Sequence, residues 1–308
     1  LFHPLAVSAF TQTLTVYTYD SFSSKWGLGP VLKQAFEKKT GAKLNYVPFG
    51  SAGEALNQVA LEGTKTKANV LLGIDSGLLQ RAQGLDVFHG TESAFVPYDY
   101  GYLGIVYDSS RVKGPLPKNF KEFAEDVRFK KKLSLIDPRT SSVGLGFLIW
   151  TGTLYKGPAF DEIWKSLSNQ VLTLSPGWSG AYGLFTQKKA DFVLSYTTSP
   201  AYHAENDKTH DIKCLIFPEG HFRQEEYVGI VKGPKEKLAK QLVEVLLSEA
   251  VQKEIPTHQW MYPIRPGVAL PQSFKDLPVP KALEVDFNEV ETSRKDWLKR
   301  WEKTLATS

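Results

Sequence analysis

The sequence predicts an α/β protein with two lobes, each a mostly parallel sheet flanked by helices. Strand-like and helix-like segments alternate along residues 14–84. This alternation is typical of parallel sheets with helices on both faces. Two extended segments, 94–110 and 226–233, are long enough to cross from one lobe to the other. The 308 residues suffice for one large or two medium domains.

The first block contains three strand–helix pairs. Its strands are predicted over 14–22 with a closing loop, 42–49 and 68–75. The helices that follow them are predicted over 29–41, 51–63 and 76–84. Apolar residues at helical spacing and a terminal Gly41 support the first helix, and a Ser51–Glu54 capping box supports the second.

The second block repeats this mixture. Its strands are predicted over 132–140, 171–174, 191–196, 212–220 and 226–233. Its helices are predicted over 116–126, 141–155, 160–170, within 171–190, 234–255 and 288–306. Because two segments cross between the blocks, we expect discontinuous lobes hinged near 98–102 and 227–231. The expected bounds are 14–98 with 230–262 for lobe 1, and 99–229 with 263–308 for lobe 2.

Composition excludes several classes of protein. The 37 Lys and Arg against 33 Asp and Glu are spread along the chain, which argues against a nucleic-acid surface. No apolar run is long enough for a membrane span. One cysteine, Cys214, excludes an internal disulfide, and its place in a predicted strand favours a packed thiol over a nucleophile. Residues 1–13 are interpreted as the remnant of a secretory signal or a disordered amino terminus.

Aromatic and acidic side chains follow the predicted strands, where ligands of open α/β sheets bind. This set suits a flat, cationic, heteroaromatic ligand, because ring faces attract cations by up to about 2 kcal/mol each. The segment "TSSVGLG" opens a helix whose free N–H groups suit an anion such as phosphate. Each residue also has a plainer interpretation, since tyrosines and tryptophans often pack in cores, and Asp20, Asp75 and Ser141 are plausible helix caps.

Several long blocks of sequence resemble one family, the thiamine-binding periplasmic proteins of bacterial ABC transporters. These blocks are "LTVYTYDSF", "VLLGIDSGLL", "FVPYDYGYLGIVYD", "DPRTSSVGLGFLIW", "GWSGAYGLF", "LSYTTSPAYH" and "IPTHQWMYPI". The resemblance extends over about residues 14–304, while "SFSSKWGLGP" and "GSAGEALN" depart from the family in detail. It implies a type II periplasmic binding-protein fold with the ligand in the interlobe cleft.

The resemblance also implies a function. We expect a periplasmic monomer that captures thiamine, thiamine monophosphate or thiamine diphosphate by closing its lobes, and that delivers the ligand to an inner-membrane permease. No catalysis, cofactor or metal is expected. The implied ligand contacts are Trp178, Tyr196, Tyr202 and Trp260, with Tyr19, Asp20, Asp75 and Tyr102 as further contacts and Ser141 and Ser142 at the phosphate.

Three alternatives stay open at the level of sequence. A thiaminase-like enzyme of similar fold would need a cysteine nucleophile, and only Cys214 is present. A ferric-ion carrier of the same superfamily would use neighbouring tyrosines, but Tyr196 and Tyr202 are separated by five residues. A polyamine carrier would share the carboxylates and the aromatic rings.

Overall fold

The computed structural model describes residues 12–88 and 94–306, so residues 1–11 of the predicted signal remnant lie outside the described residues. Strands and helices alternate as the sequence predicts. The strands are β1 Thr13–Tyr19, β2 Lys43–Phe49, β3 Val70–Asp75, β4 Phe95–Asp108, β5 Leu133–Ile136, β6 Val171–Ser175, β7 Phe192–Tyr196, β8 Ile212–Leu215, β9 Arg223–Ile230 and β10 Tyr262–Pro263.

Helices flank these strands along the whole described chain. In the first half of the sequence they are α1 Asp20–Ser23, α2 Gly29–Thr40, α3 Ala52–Glu62, α4 Leu79–Gln83, α5 Phe120–Glu125, α6 Ser142–Leu154 and α7 Pro158–Gln170. In the second half they are α8 Trp178–Thr186, α9 Ser199–Asn206, α10 Glu236–Leu246, α11 Glu249–Gln252, α12 Ile255–His258, α13 Gln272–Lys275 and α14 Phe287–Ala306.

The strands form one continuous path in the order β2-β1-β3-β9-β4-β7-β5-β6, and β8 and β10 also pair with β4. Pairing is parallel towards both ends of the path, where β1 joins β2 and β3, and β5 joins β6 and β7. It is antiparallel in the middle, where β9 joins β3 and β4, and β4 joins β7. The predicted α/β class, with helices flanking the sheet, is confirmed.

The strand β4 belongs to both halves of this sheet. Residues 95–102 pair with β9 in the half that contains β1 to β3, and residues 103–107 pair with β7 in the half that contains β5 and β6. The change of partner falls between Tyr102 and Leu103. The strand β9, Arg223–Ile230, lies between β3 and β4 and pairs with both of them. The division into lobes 1 and 2 with hinges near 98–102 and 227–231 stays a prediction.

Local residue chemistry explains the helix boundaries. Gly41 ends α2 with a left-handed φ of 71°, which glycine adopts at little cost. Ser51 caps α3 by accepting a hydrogen bond from the Glu54 N–H at 3.1 Å. The Glu54 carboxylate accepts from the Gly50 N–H at 3.0 Å, one residue earlier than a standard capping box requires.

The prediction of a single helix over 234–255 is wrong. The structure has three separate helices there, α10, α11 and α12. Ser248 is extended, with a ψ of 149°, and this conformation ends the helical run before α11. Pro256 occupies the first turn of α12, where its missing N–H costs nothing.

The helix α6 is buried along most of its length. Every residue from Ser142 to Gly152 is buried. An added Cβ on Gly152 would lie 2.7 Å from the ring of Trp297, so α14 packs directly on this helix. Among the helices of residues 12–88 and 94–306, none combines the length and the apolarity that crossing a membrane requires.

Gly144 tests the packing of α6 on β5. An added Cβ at this position would lie 2.6 Å from the Ile136 carbonyl oxygen and 2.7 Å from that of Asp137. We expect Gly144→Ala to lower the free energy of unfolding by about 1–3 kcal/mol, because the clash is with backbone atoms that have little freedom to move.

The matched control is Gly180→Ala in α8, where the nearest atom to an added Cβ is 3.8 Å away. This change should be neutral or stabilise by up to about 1 kcal/mol, since alanine is the better helix former. Chemical denaturation of both variants is the measurement. Equal stability of the two variants would contradict the close packing of α6 on β5.

Candidate functional site

A cavity of about 660 Å³ lies between the two halves of the sheet, at the ends of β1 and β7. It is lined by residues that follow strands in both halves, as expected for an open α/β sheet. Eight of the ten residues predicted to bind a ligand line it, namely Tyr19, Asp20, Ser141, Ser142, Trp178, Tyr196, Tyr202 and Trp260. Asp75 and Tyr102 are not among the lining residues.

Direct hydrogen bonds join the two sides of the cavity. The Ser51 hydroxyl at the start of α3 donates to the Thr140 carbonyl oxygen, at 2.7 Å. The Ser179 hydroxyl in α8 donates to the Asp20 carboxylate, at 3.3 Å. The first contact links α3 of one half to Thr140, just before α6 of the other half, and the second links α1 to α8. In this structure the two halves are therefore in direct contact across the cavity.

The ring of Trp178 is held in a fixed plane beside the cavity. Its indole Nε1–H donates to the Ser195 hydroxyl at 2.9 Å. One ring face stacks on Tyr182, with centroids 4.8 Å apart and planes 20° from parallel. Tyr182 is itself held by a 2.8 Å hydrogen bond between its hydroxyl and His203. Because these contacts fix the indole without a ligand, it is preorganised to receive one.

Trp260 and Tyr202 form a second aromatic wall. Their rings meet edge to face, with centroids 5.2 Å apart. The Trp260 backbone has a left-handed φ of 57°, a conformation that costs a residue with a side chain about 1–2 kcal/mol. The Thr198 hydroxyl helps to hold this backbone by donating to the Trp260 carbonyl oxygen, at 2.6 Å. Such strain is typical of residues that the surrounding fold holds in place at a functional site.

Glu226 provides a buried carboxylate in the cavity lining. It accepts hydrogen bonds from the hydroxyls of Tyr19, at 2.7 Å, and Tyr98, at 2.5 Å. Its strand β9 lies between β3 and β4, and Glu226 pairs in register with Asp75 on one side and Asp99 on the other. Three buried acidic residues therefore lie side by side across adjacent strands.

Burial dominates the ionisation of these three groups. It raises the pKa of Glu226 to about 7 and that of Asp75 to about 6. Burial, together with the charge of Glu226, raises the pKa of Asp99 well above its ordinary value. Each shift has the same physical cause, because a low-dielectric environment disfavours the ionised form. A cation placed against Glu226 would reverse the shift and hold the carboxylate ionised.

The charge and the shape of the cavity define what it can hold. Aromatic rings form its walls and a carboxylate lies at its buried end, which together suit a flat cation. Within residues 12–88 and 94–306, no group of three or more His, Cys, Asp or Glu side chains is arranged to bind a metal ion.

Two of the predicted ligand contacts lie beside the cavity instead of on its surface. The Asp75 carboxylate is buried and accepts from the Gly77 N–H at 2.9 Å. Tyr102 contacts the rings of Tyr100 and Tyr262 edge to face. An added Cβ on the preceding Gly101 would meet Tyr196 and Met261, which line the cavity, so the alternation of β4 directs Tyr102 to the opposite face. Their ligand contacts stay predictions.

Sequence reasoning missed Glu226 and Gln224, although the chain carries a signal for both. Residues 224, 226, 228 and 230 are all buried, so they share one face of β9. Two polar residues on the buried face of a strand are uncommon and indicate a specific role. Gln224 donates from its amide to the Tyr196 hydroxyl at 2.8 Å and so orients that ring in the cavity.

Two helix starts meet at another part of the lining. Ser51 precedes α3 and Ser141 precedes α6, and the Ser51–Thr140 hydrogen bond brings them together. Ser141 is buried, yet its hydroxyl does not cap its own helix. Unpaired N–H groups at the start of a helix favour an anion.

Comparison with known proteins agrees with this geometry. Residues 15–258 match the family described as bacterial extracellular solute-binding proteins. The thiamine-binding periplasmic protein of Brucella suis biovar 1 (strain 1330) is 40% identical, over 94% of this chain and 91% of that protein. The protein of the same description from Escherichia coli (strain K12) is 38% identical, over 95% and 93%. A solved structure of a periplasmic thiamin binding protein has a TM-score of 0.91 at 38% identity, covering 97% and 98% of the two chains.

A divided sheet with a cavity between its halves, together with this match, defines the class of bacterial extracellular solute-binding proteins. The type II periplasmic binding-protein fold expected from the sequence is confirmed. Within this class, the chain belongs to the family of thiamine-binding periplasmic proteins.

The raised pKa of Glu226 predicts how stability depends on pH. An acid with a higher pKa in the folded protein binds its proton more tightly there, so stability falls as the pH rises from the unfolded to the folded pKa. For Glu226 this interval runs from 4.5 to about 7. We expect the ligand-free protein to lose stability across it, by up to about 3 kcal/mol from this residue.

Glu226→Gln should reduce this slope while keeping an acceptor for Tyr19 and Tyr98. Asp75 contributes a decline of the same sign below about pH 6, so the slope should fall but not vanish. Urea denaturation at several pH values measures it. Identical slopes for the two proteins would show that Glu226 has an ordinary pKa.

Proposed function

We propose that this periplasmic solute-binding protein captures thiamine, thiamine monophosphate and thiamine diphosphate and, as a monomer, delivers them to an inner-membrane ABC permease. The observation that carries the proposal is a buried carboxylate, Glu226, in a cavity walled by the rings of Trp178, Tyr196, Tyr202 and Trp260. The family to which the chain belongs supports the same ligand.

The ligand chemistry matches the distribution of charge. Thiamine carries a permanently positive thiazolium ring joined to an aminopyrimidine, so it offers two flat rings and one positive charge. Ring faces attract such a cation most strongly where water is excluded, by up to about 2 kcal/mol per contact. Glu226 adds a formal countercharge, and its hydrogen bonds from Tyr19 and Tyr98 hold the carboxylate in position. We therefore place the cationic ring towards Glu226.

The phosphate groups would lie at the opposing helix starts. Ser51, Ser141 and Ser142 line this part of the cavity, where α3 and α6 begin. The positive ends of two helix dipoles and the Ser141 hydroxyl, which does not cap its own helix, would stabilise an anion there. In the thiamine phosphates the phosphate is attached through the hydroxyethyl arm of the thiazolium ring, so a thiazolium ring near Glu226 would extend its phosphate towards these helix starts.

Capture would follow from closure about β4, which is shared by the two halves of the sheet. The contacts of Ser51 with Thr140 and of Ser179 with Asp20 would form only when the halves approach. Closure of this hinge type buries a ligand between two rigid bodies. The closed form would then present a surface built from both halves to the permease.

We propose that no chemistry follows capture. The only cysteine, Cys214, lies on β8, and it is not a lining residue of the cavity. Burial raises the pKa of its thiol, which opposes the thiolate form that a nucleophile needs.

Trp178→Ala tests the aromatic wall. We expect the affinity for thiamine, measured by calorimetry, to fall about tenfold or more, because the cation loses one ring face and gains water. Trp178→Phe should retain most of the affinity. Wild-type affinity in Trp178→Ala would place the ligand elsewhere.

The absence of catalysis has a separate test. Cleaved thiamine recovered after incubation of the wild-type protein with thiamine and a nucleophilic amine would refute the non-catalytic role.

The pair Ser141→Ala with Ser142→Ala tests the phosphate position. These variants should weaken the mono- and diphosphate more than unphosphorylated thiamine, because only the phosphates use the two hydroxyl donors. Calorimetry with the three ligands measures the difference. Equal losses for all three would move the phosphate away from the start of α6.

A further inference from the structure

Lys25 is the one lysine or arginine among the residues that line the cavity in the described chain. It lies in the short loop between α1 and α2, and its side chain is exposed. Within residues 12–88 and 94–306, its ammonium group has neither a hydrogen bond nor an ion pair. The other charged lining residues are Asp20 and Glu226, and His258 is the remaining titratable base.

The sheet topology places Lys25 on the same side of the sheet as the start of α3. Strands β1 and β2 are parallel neighbours, and Tyr19 at the end of β1 pairs with Phe49 at the end of β2. The chain that leaves β1 leads through α1 to Lys25, and the chain that leaves β2 leads through Gly50 to α3. Both segments therefore emerge at the same edge of the sheet, and both line the cavity.

Exposure separates the two ends of this cavity. Glu226 is 6% exposed, whereas Trp26, the neighbour of Lys25, is 53% exposed. The carboxylate thus lies at the closed end and the lysine at the open rim. A ligand with its cation at Glu226 would direct any attached phosphate chain outwards, past the starts of α3 and α6.

We propose that Lys25 is a specificity-determining residue that makes the site favour thiamine diphosphate over the monophosphate and over unphosphorylated thiamine. The inference rests on the proposed function, since it takes thiamine and its phosphates as the ligands. An ammonium group at the rim attracts the terminal phosphate, whose charge is nearest. The same group repels the thiazolium ring weakly, so it opposes the binding of the unphosphorylated cation.

The test is calorimetry of wild type and Lys25→Ala with thiamine, thiamine monophosphate and thiamine diphosphate. We expect the affinity for the diphosphate to fall about three- to tenfold, with a smaller loss for the monophosphate. The affinity for thiamine should stay the same or rise slightly. Lys25→Arg should keep the wild-type order, because it keeps the charge.

Lys43→Ala is the matched control. Lys43 is an exposed lysine on β2 outside the cavity lining, so its removal changes the net charge equally. It should leave all three affinities unchanged. Raising the salt concentration should reduce the wild-type preference for the diphosphate and have little effect on the ligand preference of Lys25→Ala.

The outcomes separate this inference from the proposed function. A wild-type protein that binds none of the three ligands would overturn both. A wild-type protein that binds thiamine but shows no preference for its diphosphate, or a Lys25→Ala variant that alters all three affinities by the same factor, would overturn only the role of Lys25. Circular dichroism of each variant verifies that the fold is retained.

Discussion

The shared strand β4 is the constraint on which the rest of the molecule depends. The first part of this 14-residue strand pairs with β9, and the later part pairs with β7 and β8. Buried N–H and C=O groups must stay paired, so the halves cannot part at this strand without losing those hydrogen bonds. The proposed closure is therefore a rotation about the shared strand, with the cavity between the two halves.

The acidic side of the cavity is costly for the ligand-free protein. A buried carboxylate is disfavoured unless it is hydrogen-bonded or paired, and Glu226 has two tyrosine donors but no cation among the described residues. Asp75 and Asp99 on the flanking strands add to the unfavourable charge. The proposed ligand cation would relieve this cost, so part of the selectivity would arise because the free site is less stable than a neutral one would be.

Local signals predicted most of the fold, because helix and strand periods, Gly41 and Ser51 act over a few residues. They also placed the ring of Trp178 after β6 and that of Tyr196 at the end of β7, two strands that pair in parallel with β5. The role of Trp260, which follows the helix α12, was implied by the family resemblance. The sequence did not show which strands lie next to each other in the sheet. The pKa of Glu226 is raised by its burial and by the charge of Asp75 on the neighbouring strand β3, and no local pattern shows which strands are neighbours. The sequence also did not show which face of β4 each side chain occupies, because a bulge between Pro97 and Asp99 interrupts the regular alternation before Tyr102.

The left-handed backbone of Trp260 lowers the stability of the folded protein at a position that supplies an aromatic ring to the cavity. Glycine or asparagine would adopt that conformation with less strain, yet neither would supply a ring to the cavity. Libraries of this protein sorted only for resistance to heat would therefore tend to discard the tryptophan. The surviving variants would be more stable but would lack one aromatic wall of the proposed site, so stabilisation of this protein has to keep residue 260 constant.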